Sequence, residues 1–336
     1  MNLKENIYKY LIKIREILVK KVYSKTNYNT YLYLYPAYIK SKFNKSKEIR
    51  YVNYLTAKPN PGAGIGHQIA NWNAGYWFSK KLKLKFAHTS FSNSYVPFTK
   101  SSWDEFLGFG NDEINTNELL KSGYKLVRLP LFDEENKSQL KIIERIIEVY
   151  SNKKVVFICE QDQFYKNQIG TINSLKNKFY NNRTFKNVLN EKFFNIAIHV
   201  RRGDIVQDEY CSNENLSIRW LSNDYFFNAL KNTLKIIETT KPINIYLFSQ
   251  GKEEDFSEFN NFENLHFCLN ESAQESFLKM CLADVLITSK SSFSYKPALL
   301  NNGIKVCPKN FWHEYPKGKE WIMLNDNGEI IERYNN

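Results

Sequence analysis

The stretch Asn195-Ile196-Ala197-Ile198-His199-Val200-Arg201-Arg202-Gly203-Asp204 decides how the chain is read. Its first half is an apolar run of strand character. Its second half gathers one His, two adjacent Arg and one Asp. A strand that delivers two guanidiniums to its carboxyl end suits an open α/β sheet, where ligands sit outside the carboxyl ends of the strands. Each guanidinium is a planar fork that matches phosphate oxygens. The same residues also fit an ordinary strand followed by a salt-bridged turn. The flanking sequence has to choose between the two.

Downstream, strand and helix patterns alternate. Strands are expected at 193–200, 242–249, 265–269, 284–288 and 304–307, and helices at 222–240, 272–282 and 292–300. This βαβ rhythm predicts a parallel sheet covered by helices. The half before residue 190 carries a weaker version: strands at 50–55, 85–88 and 155–160, and helices at 69–83 and 139–150. Two Rossmann-like halves facing a cleft are expected. The corresponding domains are an N-terminal helix and connector at 1–50, an acceptor-side domain at 51–190 and a nucleotide-binding domain at 191–336.

Two further clusters lie where this pattern would put a ligand. Pro61-Gly62-Ala63-Gly64-Ile65-Gly66-His67-Gln68 follows a strand and precedes a helix. Its glycines allow close backbone approach, and the helix N-terminus behind them can receive negative charge. The spacing is G-x-G-x-G, so the dinucleotide fingerprint does not apply. Ser289-Lys290-Ser291-Ser292-Phe293-Ser294 follows the strand at 284–288. Its hydroxyls suit an N-cap, and the same helix terminus suits a phosphate. Two such strand ends side by side would make a diphosphate pocket.

Composition narrows the classes. The chain has 336 residues, 43% hydrophobic and 15% aromatic, and a net charge of +12. It can fill real cores and favours polyanionic partners. Lys is spread along the whole chain and no RNP-like or zinc pattern occurs, which argues against a nucleic-acid-binding module. The five cysteines are scattered without C-x-x-C, so neither a disulfide framework nor a zinc site is expected. Residues 1–25 read as one helix, with Ile7, Leu11, Ile14 and Leu18 on a stripe ringed by Lys and Arg. It either packs on the body of the protein or makes peripheral contact with an anionic membrane. No apolar run reaches the length of a membrane span and no signal-peptide pattern opens the chain. A soluble cytoplasmic protein, peripheral at the inner membrane face if the helix binds lipid, is the expectation.

Taken together, His199-Val200-Arg201-Arg202-Gly203-Asp204 resembles the H-x-R-R-G-D peptide of GDP-fucose-dependent fucosyltransferases of GT-B-like fold. Gly64-Ile65-Gly66-His67-Gln68 resembles their G-x-G-N-Q motif, with His67 in place of Asn. Ser291-Ser292-Phe293 resembles their last motif. Gly203-Asp204 and the Ser-Phe-Ser-Tyr run lean toward the α1,2 branch (glycosyltransferase family 11); the α1,6 and other branches, and a non-catalytic nucleotide-sugar-binding relative, are the alternatives. The resemblance implies fucosyl transfer from GDP-fucose to a glycan with inversion. It implies that Arg201 holds the β-phosphate, and that Arg202 and His199 support that wall. Asp204 would fix an Arg or the loop. Gly64, Gly66, His67, Gln68, Ser291, Ser292 and Phe293 would meet the donor, and Glu275 the guanosine. Asp208 or, preferably, Glu209 would be the base. The sequence has no D-x-D, so no metal or other cofactor is expected; two Arg in its place is a coherent substitute. A lipid-linked surface oligosaccharide is one acceptor that fits.

Overall fold

The structure is a computed structural model. It describes residues 3–44, 48–57, 63–91, 102–159, 168–181, 185, 188–203, 205 and 218–333. The chain divides into two compact units, Met1–Ser174 and Leu175–Asn336.

The first unit opens with helices α1 (Leu3–Lys25), α2 (Tyr28–Leu32) and α3 (Pro36–Phe43). The segment expected to be a connector thus holds two short helices. Each has a local cause. The Asn27 side chain accepts from the Thr30 amide as the cap of α2, and Pro36 starts α3, where a missing N–H costs nothing. Strand β1 (Tyr54–Thr56) leads into helix α4 (Ile65–Lys81), then strand β2 (Lys85–His88) and helix α5 (Ser102–Leu107). Strand β3 (Ile114–Asn115), helix α6 (Thr116–Lys121), strand β4 (Lys125–Leu129), helix α7 (Lys137–Glu148) and strand β5 (Val155–Cys159) follow. The order across the sheet is β3-β2-β1-β5-β4, every pair parallel. Val155–Cys159 is buried throughout, which is why it reads as a continuous apolar run rather than an alternating one. Helix α4 is buried over most of its length. A Cβ at Gly75 would come within 2.6 Å of the Ala57 backbone, so only glycine lets α4 lie this close to the end of β1.

The second unit takes in most of helix α8 (Ile172–Tyr180) and starts its sheet with strand β6 (Phe194–His199). Helix α9 (Asn223–Ile236), strand β7 (Ile243–Ser249), a 3-10 segment (Glu253–Asn261) and strand β8 (Leu265–Leu269) come next. Helix α10 (Ala273–Leu282), strand β9 (Val285–Ile287), helix α11 (Ser292–Leu300) and strand β10 (Ile304–Pro308) complete the alternation. Strands β11 (Trp321–Leu324) and β12 (Ile330–Arg333), which the sequence pattern did not single out, extend the edge. The sheet order is β12-β11-β10-β9-β6-β7-β8, parallel except for the β11–β12 pair. Its core is Ile196, Ile198, Leu247, Val285, Ile287 and Val306, all at most 2% exposed. Removing one such side chain to Ala costs about 2–5 kcal/mol. Asn301, fully buried after α11, donates to the carbonyls of Met280, Cys281 and Ala283. It thereby satisfies carbonyls left open where α10 ends.

Both units are therefore parallel or nearly parallel sheets covered by helices, as the α/β alternation requires.

Candidate functional site

In the second unit the strand order fixes where a ligand can enter. Chain connection runs from β6 outward to β7 and β8 on one side. On the other side lie β9, β10 and β11. The order reverses between β6 and β9, which pair in parallel with Ile198 opposite Ile287. Open α/β sheets bind ligands at the carboxyl ends of the two strands that flank such a point. Here those ends carry His199–Arg202 and Thr288–Ser292.

His199, the last residue of β6, is buried, and its Nδ1 lies 2.9 Å from Ser289 Oγ. Burial pushes its pKa down to about 3, and Arg201 and Arg202 push the same way. The ring is therefore neutral at physiological pH and can share one hydrogen with the serine. Phe293 packs beside it, ring centroids 5.5 Å apart. Arg201 Nη1 donates to Ser291 Oγ at 3.4 Å. The same Ser291 oxygen accepts from the Phe293 amide and caps α11. A guanidinium and the positive end of a nine-residue helix thus converge on one point. Such a point is favourable for an anion. Ser292, the first residue of α11, has its hydroxyl 3.1 Å from Nε2 of His313. His313 is buried and stacked on Tyr295 with ring centroids 4.7 Å apart. Sequence reasoning did not single out Ser289 as a site residue or His313 at all. A buried serine behind two cations was a usable signal; nothing local marked His313.

Arg202 goes elsewhere. Its guanidinium donates to the carbonyl of Arg201 at 2.8 Å and to Asn223 Oδ1 at 2.5 Å. It stacks 4.0 Å above the ring of Trp220. Burial lowers its pKa to about 10, against the pull of Glu258 and Asp255, so it remains a cation. It lines a cavity of about 630 Å³ together with Trp220, Asn223, Gln250, Asp255 and Glu258. Gly203, directly after Arg202, has a φ of +80°, a left-handed backbone that suits glycine. The adjacent arginines are therefore not one wall: Arg201 faces the cap of α11, and Arg202 belongs to a separate polar network. Asp204, Asp208 and Glu209 lie outside the described residues. Glu275 is exposed and sits in the first turn of α10. Its carboxylate accepts from the Ser272 hydroxyl at 2.8 Å, and its amide donates to the same oxygen. Ser272 is thus the N-cap of α10, and the Glu275 carboxylate accepts from its hydroxyl.

The glycine segment lies in the first unit. Helix α4 starts at Ile65, four residues earlier than the sequence pattern indicated. Gly66, His67 and Gln68 are thus in its first turn, not in a loop. Gly64 is the N-cap. Its φ of −61° suits any residue, and a Cβ there would meet nothing within 4 Å. The His67 amide donates to the Gly64 carbonyl, and the Gln68 side chain donates to the Ala63 carbonyl at 2.8 Å. Gln68 is buried and tied to the turn that precedes the helix.

The second unit thus defines a class: a Rossmann-like α/β unit with a cation and a helix N-terminus at its switch point, suited to an anionic ligand. No known family's model matches the sequence, and no curated protein matches it. Among solved structures, similarity extends to NodZ α1,6-fucosyltransferase soaked with GDP-fucose: TM-score 0.42, 12% identity, 75% of this chain and 93% of that one. It extends equally to POFUT1 in complex with GDP, with a TM-score of 0.42 and 12% identity over 76% of this chain and 98% of that one. A fucosyltransferase NodZ from Bradyrhizobium gives 0.42 and 10%, over 75% and 94%. Likeness at this level carries no argument about activity.

Proposed function

We propose that this chain transfers L-fucose from GDP-fucose to a glycan acceptor, with inversion and without a metal. The observation that carries the reading is Arg201 on Ser291 at the cap of α11, between the carboxyl ends of β6 and β9. The three ordered motifs around it add the fucosyl donor. In the transfer, the bond from fucose C1 to the diphosphate oxygen breaks and a bond from the acceptor oxygen to C1 forms. Negative charge grows on the departing GDP. A preorganised guanidinium and helix terminus aimed at that charge are the kind of group that usually contributes most to catalysis. The acceptor proton goes to a carboxylate, for which Glu209 is proposed ahead of Asp208. Neutral His199 holds Ser289 and the end of β6 in place without adding a third charge. The α1,2 linkage is proposed from the Gly203-Asp204 and Ser-Phe-Ser-Tyr residues.

Isothermal titration of the full chain with GDP, GDP-fucose, GDP-mannose and UDP-glucose tests the donor, and mass spectrometry of a glycan array tests transfer. GDP-fucose binding with a fucosylated product is expected. Tighter binding of a UDP-sugar would overturn the reading. GDP-fucose binding with no turnover on any acceptor would leave a nucleotide-sugar-binding protein in its place. EDTA is expected to leave the rate unchanged; loss of activity restored by Mn²⁺ would refute the metal-free mechanism.

A further inference from the structure

Helix α1 has an apolar face that the rest of the described chain does not cover. Ile7, Leu11 and Leu18 are 52%, 58% and 55% exposed, and Tyr10, Ile14 and Ile17 are also exposed. These positions recur at spacings of three and four, so they share one arc of the helix. The helix is held from a different side. Val19 is buried in the core of the first unit, and Tyr23 meets Tyr31 edge-on with ring centroids 5.0 Å apart. Packing of this stripe on the body, one of the two readings that the sequence allowed, is therefore not what the structure shows.

The exposure is concentrated. Among the described residues, fourteen of the nineteen large hydrophobics that stand exposed lie before residue 53. Phe43 and Ile49, both 83% exposed, belong to this segment. Elsewhere such residues are single and need no explanation. A run of them in one segment marks an interaction surface.

The charge of the same segment selects the partner. Residues 3–25 contain seven basic residues (Lys4, Lys9, Lys13, Arg15, Lys20, Lys21, Lys25) against two acidic ones (Glu5, Glu16), a net charge of +5. In the sequence, Lys9, Lys13 and Lys20 recur at spacings of four and seven, the period of a single helical face. A second copy of the chain would bring the same positive charge to the contact and be repelled. An anionic bilayer surface offers apolar depth for the stripe and negative head groups for the lysines.

We propose that α1 docks the protein, lying in the plane of the interface, on membranes rich in anionic phospholipid. At 1.5 Å per residue the helix spans roughly 35 Å of interface. It does not cross the bilayer: among the described residues, no helix is long and apolar enough to do so.

The test is co-sedimentation of the full chain with vesicles of phosphatidylcholine and phosphatidylglycerol, against vesicles of phosphatidylcholine alone. Binding to the anionic vesicles is expected, weakening as salt rises. Ile7→Glu with Leu11→Glu should abolish it. Lys13→Gln should weaken it about fivefold, the effect of one lysine near such a surface. The thermal midpoint should be unchanged in the Ile7→Glu, Leu11→Glu variant, because those two side chains are exposed. Equal binding to both vesicle types would overturn the proposal. So would a lowered midpoint, which would mean that the stripe is covered within the fold. Sedimentation velocity closes the remaining route: a concentration-dependent dimer lost in the Ile7→Glu, Leu11→Glu variant, without vesicle binding, would assign the face to self-association.

Discussion

The two units share a scaffold and differ at its carboxyl edge. Each has a parallel sheet whose order reverses next to its first strand. In the first unit the described strand ends carry hydroxyls and a histidine that bond one another and an adjacent indole and carboxylate. The hydroxyls of Thr56, Thr89 and Thr116 lie within 2.5 to 3.1 Å of one another, all buried. His88 stands between the Trp72 indole, which donates to its Nδ1 at 2.9 Å, and Asp104, 3.0 Å from its Nε2. Because an indole N–H can only donate, the hydrogen of His88 is on Nε2 and points at the carboxylate. In the second unit the strand end carries two guanidiniums, one against a helix cap and one against a tryptophan. The lesson is that the sheet supplies the location and the side chains at its edge supply the ligand preference. Among the described residues, one edge is closed on itself; the other is arranged for an anion.

That contrast can be broken most directly at Arg201. Arg201→Ala should lower turnover about 10²–10³-fold, the cost of losing one preorganised donor to a developing anion. Circular dichroism should show an unchanged fold. Retained turnover would remove the distinction between the two edges. The next largest effect belongs to the closed edge. Asp104→Ala leaves the Nε2–H of His88 and the Phe91 amide, 3.0 Å from the carboxylate, without that acceptor. A loss of about 3 kcal/mol of unfolding free energy is expected by urea denaturation, with GDP affinity unchanged.

A smaller effect comes from His199. Its folded pKa of about 3 lies below the ordinary 6.5, so between these values the unfolded chain binds a proton that the folded one does not. Stability is thus fully present above pH 6.5 and lost as pH falls toward 3. The slope is up to about 1.4 kcal/mol per pH unit from this group. His199→Gln should remove that portion of the slope, read as urea unfolding free energy at a series of pH values. A slope as steep as that of the parent chain would show that His199 is not excluded from protonation. The smallest effect is expected at Gly203. A φ of +80° disfavours any side chain, and a Cβ there would run into the Gln250 amide, which can move. Gly203→Ala should cost about 1–2 kcal/mol. It should also disturb Arg202 more than Arg201, visible as loss of tryptophan quenching at Trp220.

Much of this was legible in the chain. Strand 304–307 and helix 292–300 stand where periodicity put them, because a buried parallel strand and its covering helix write long apolar runs. The Arg pair at the end of β6 and the serines at the start of α11 were recognisable for the same reason: strand ends and helix caps have local chemistry. Other features were not legible. Strands β3 and β11 are too short, or too dependent on a neighbour, to show a period of their own. The early start of α4 was hidden because Gly64 and Gly66 read as a loop, although neither needs a glycine conformation that would break a helix. The pairing of Glu275 with Ser272 was written in Ser272-x-x-Glu275, a local signal that the sequence reading did not use.

By itself the sequence determined the alternation of strands and helices, the anion-suited chemistry at two strand ends and the amphipathic period of residues 1–25. Tertiary structure alone decided that β9 lies beside β6, which brings Ser291 to Arg201 across ninety positions of chain. It also decided that Arg202 turns away to Trp220, and that the stripe of α1 stays uncovered. The physical reason is the same in each case. Periodicity and capping are local and are fixed by neighbours in sequence, whereas strand order, guanidinium direction and burial depend on what the fold brings against them from elsewhere.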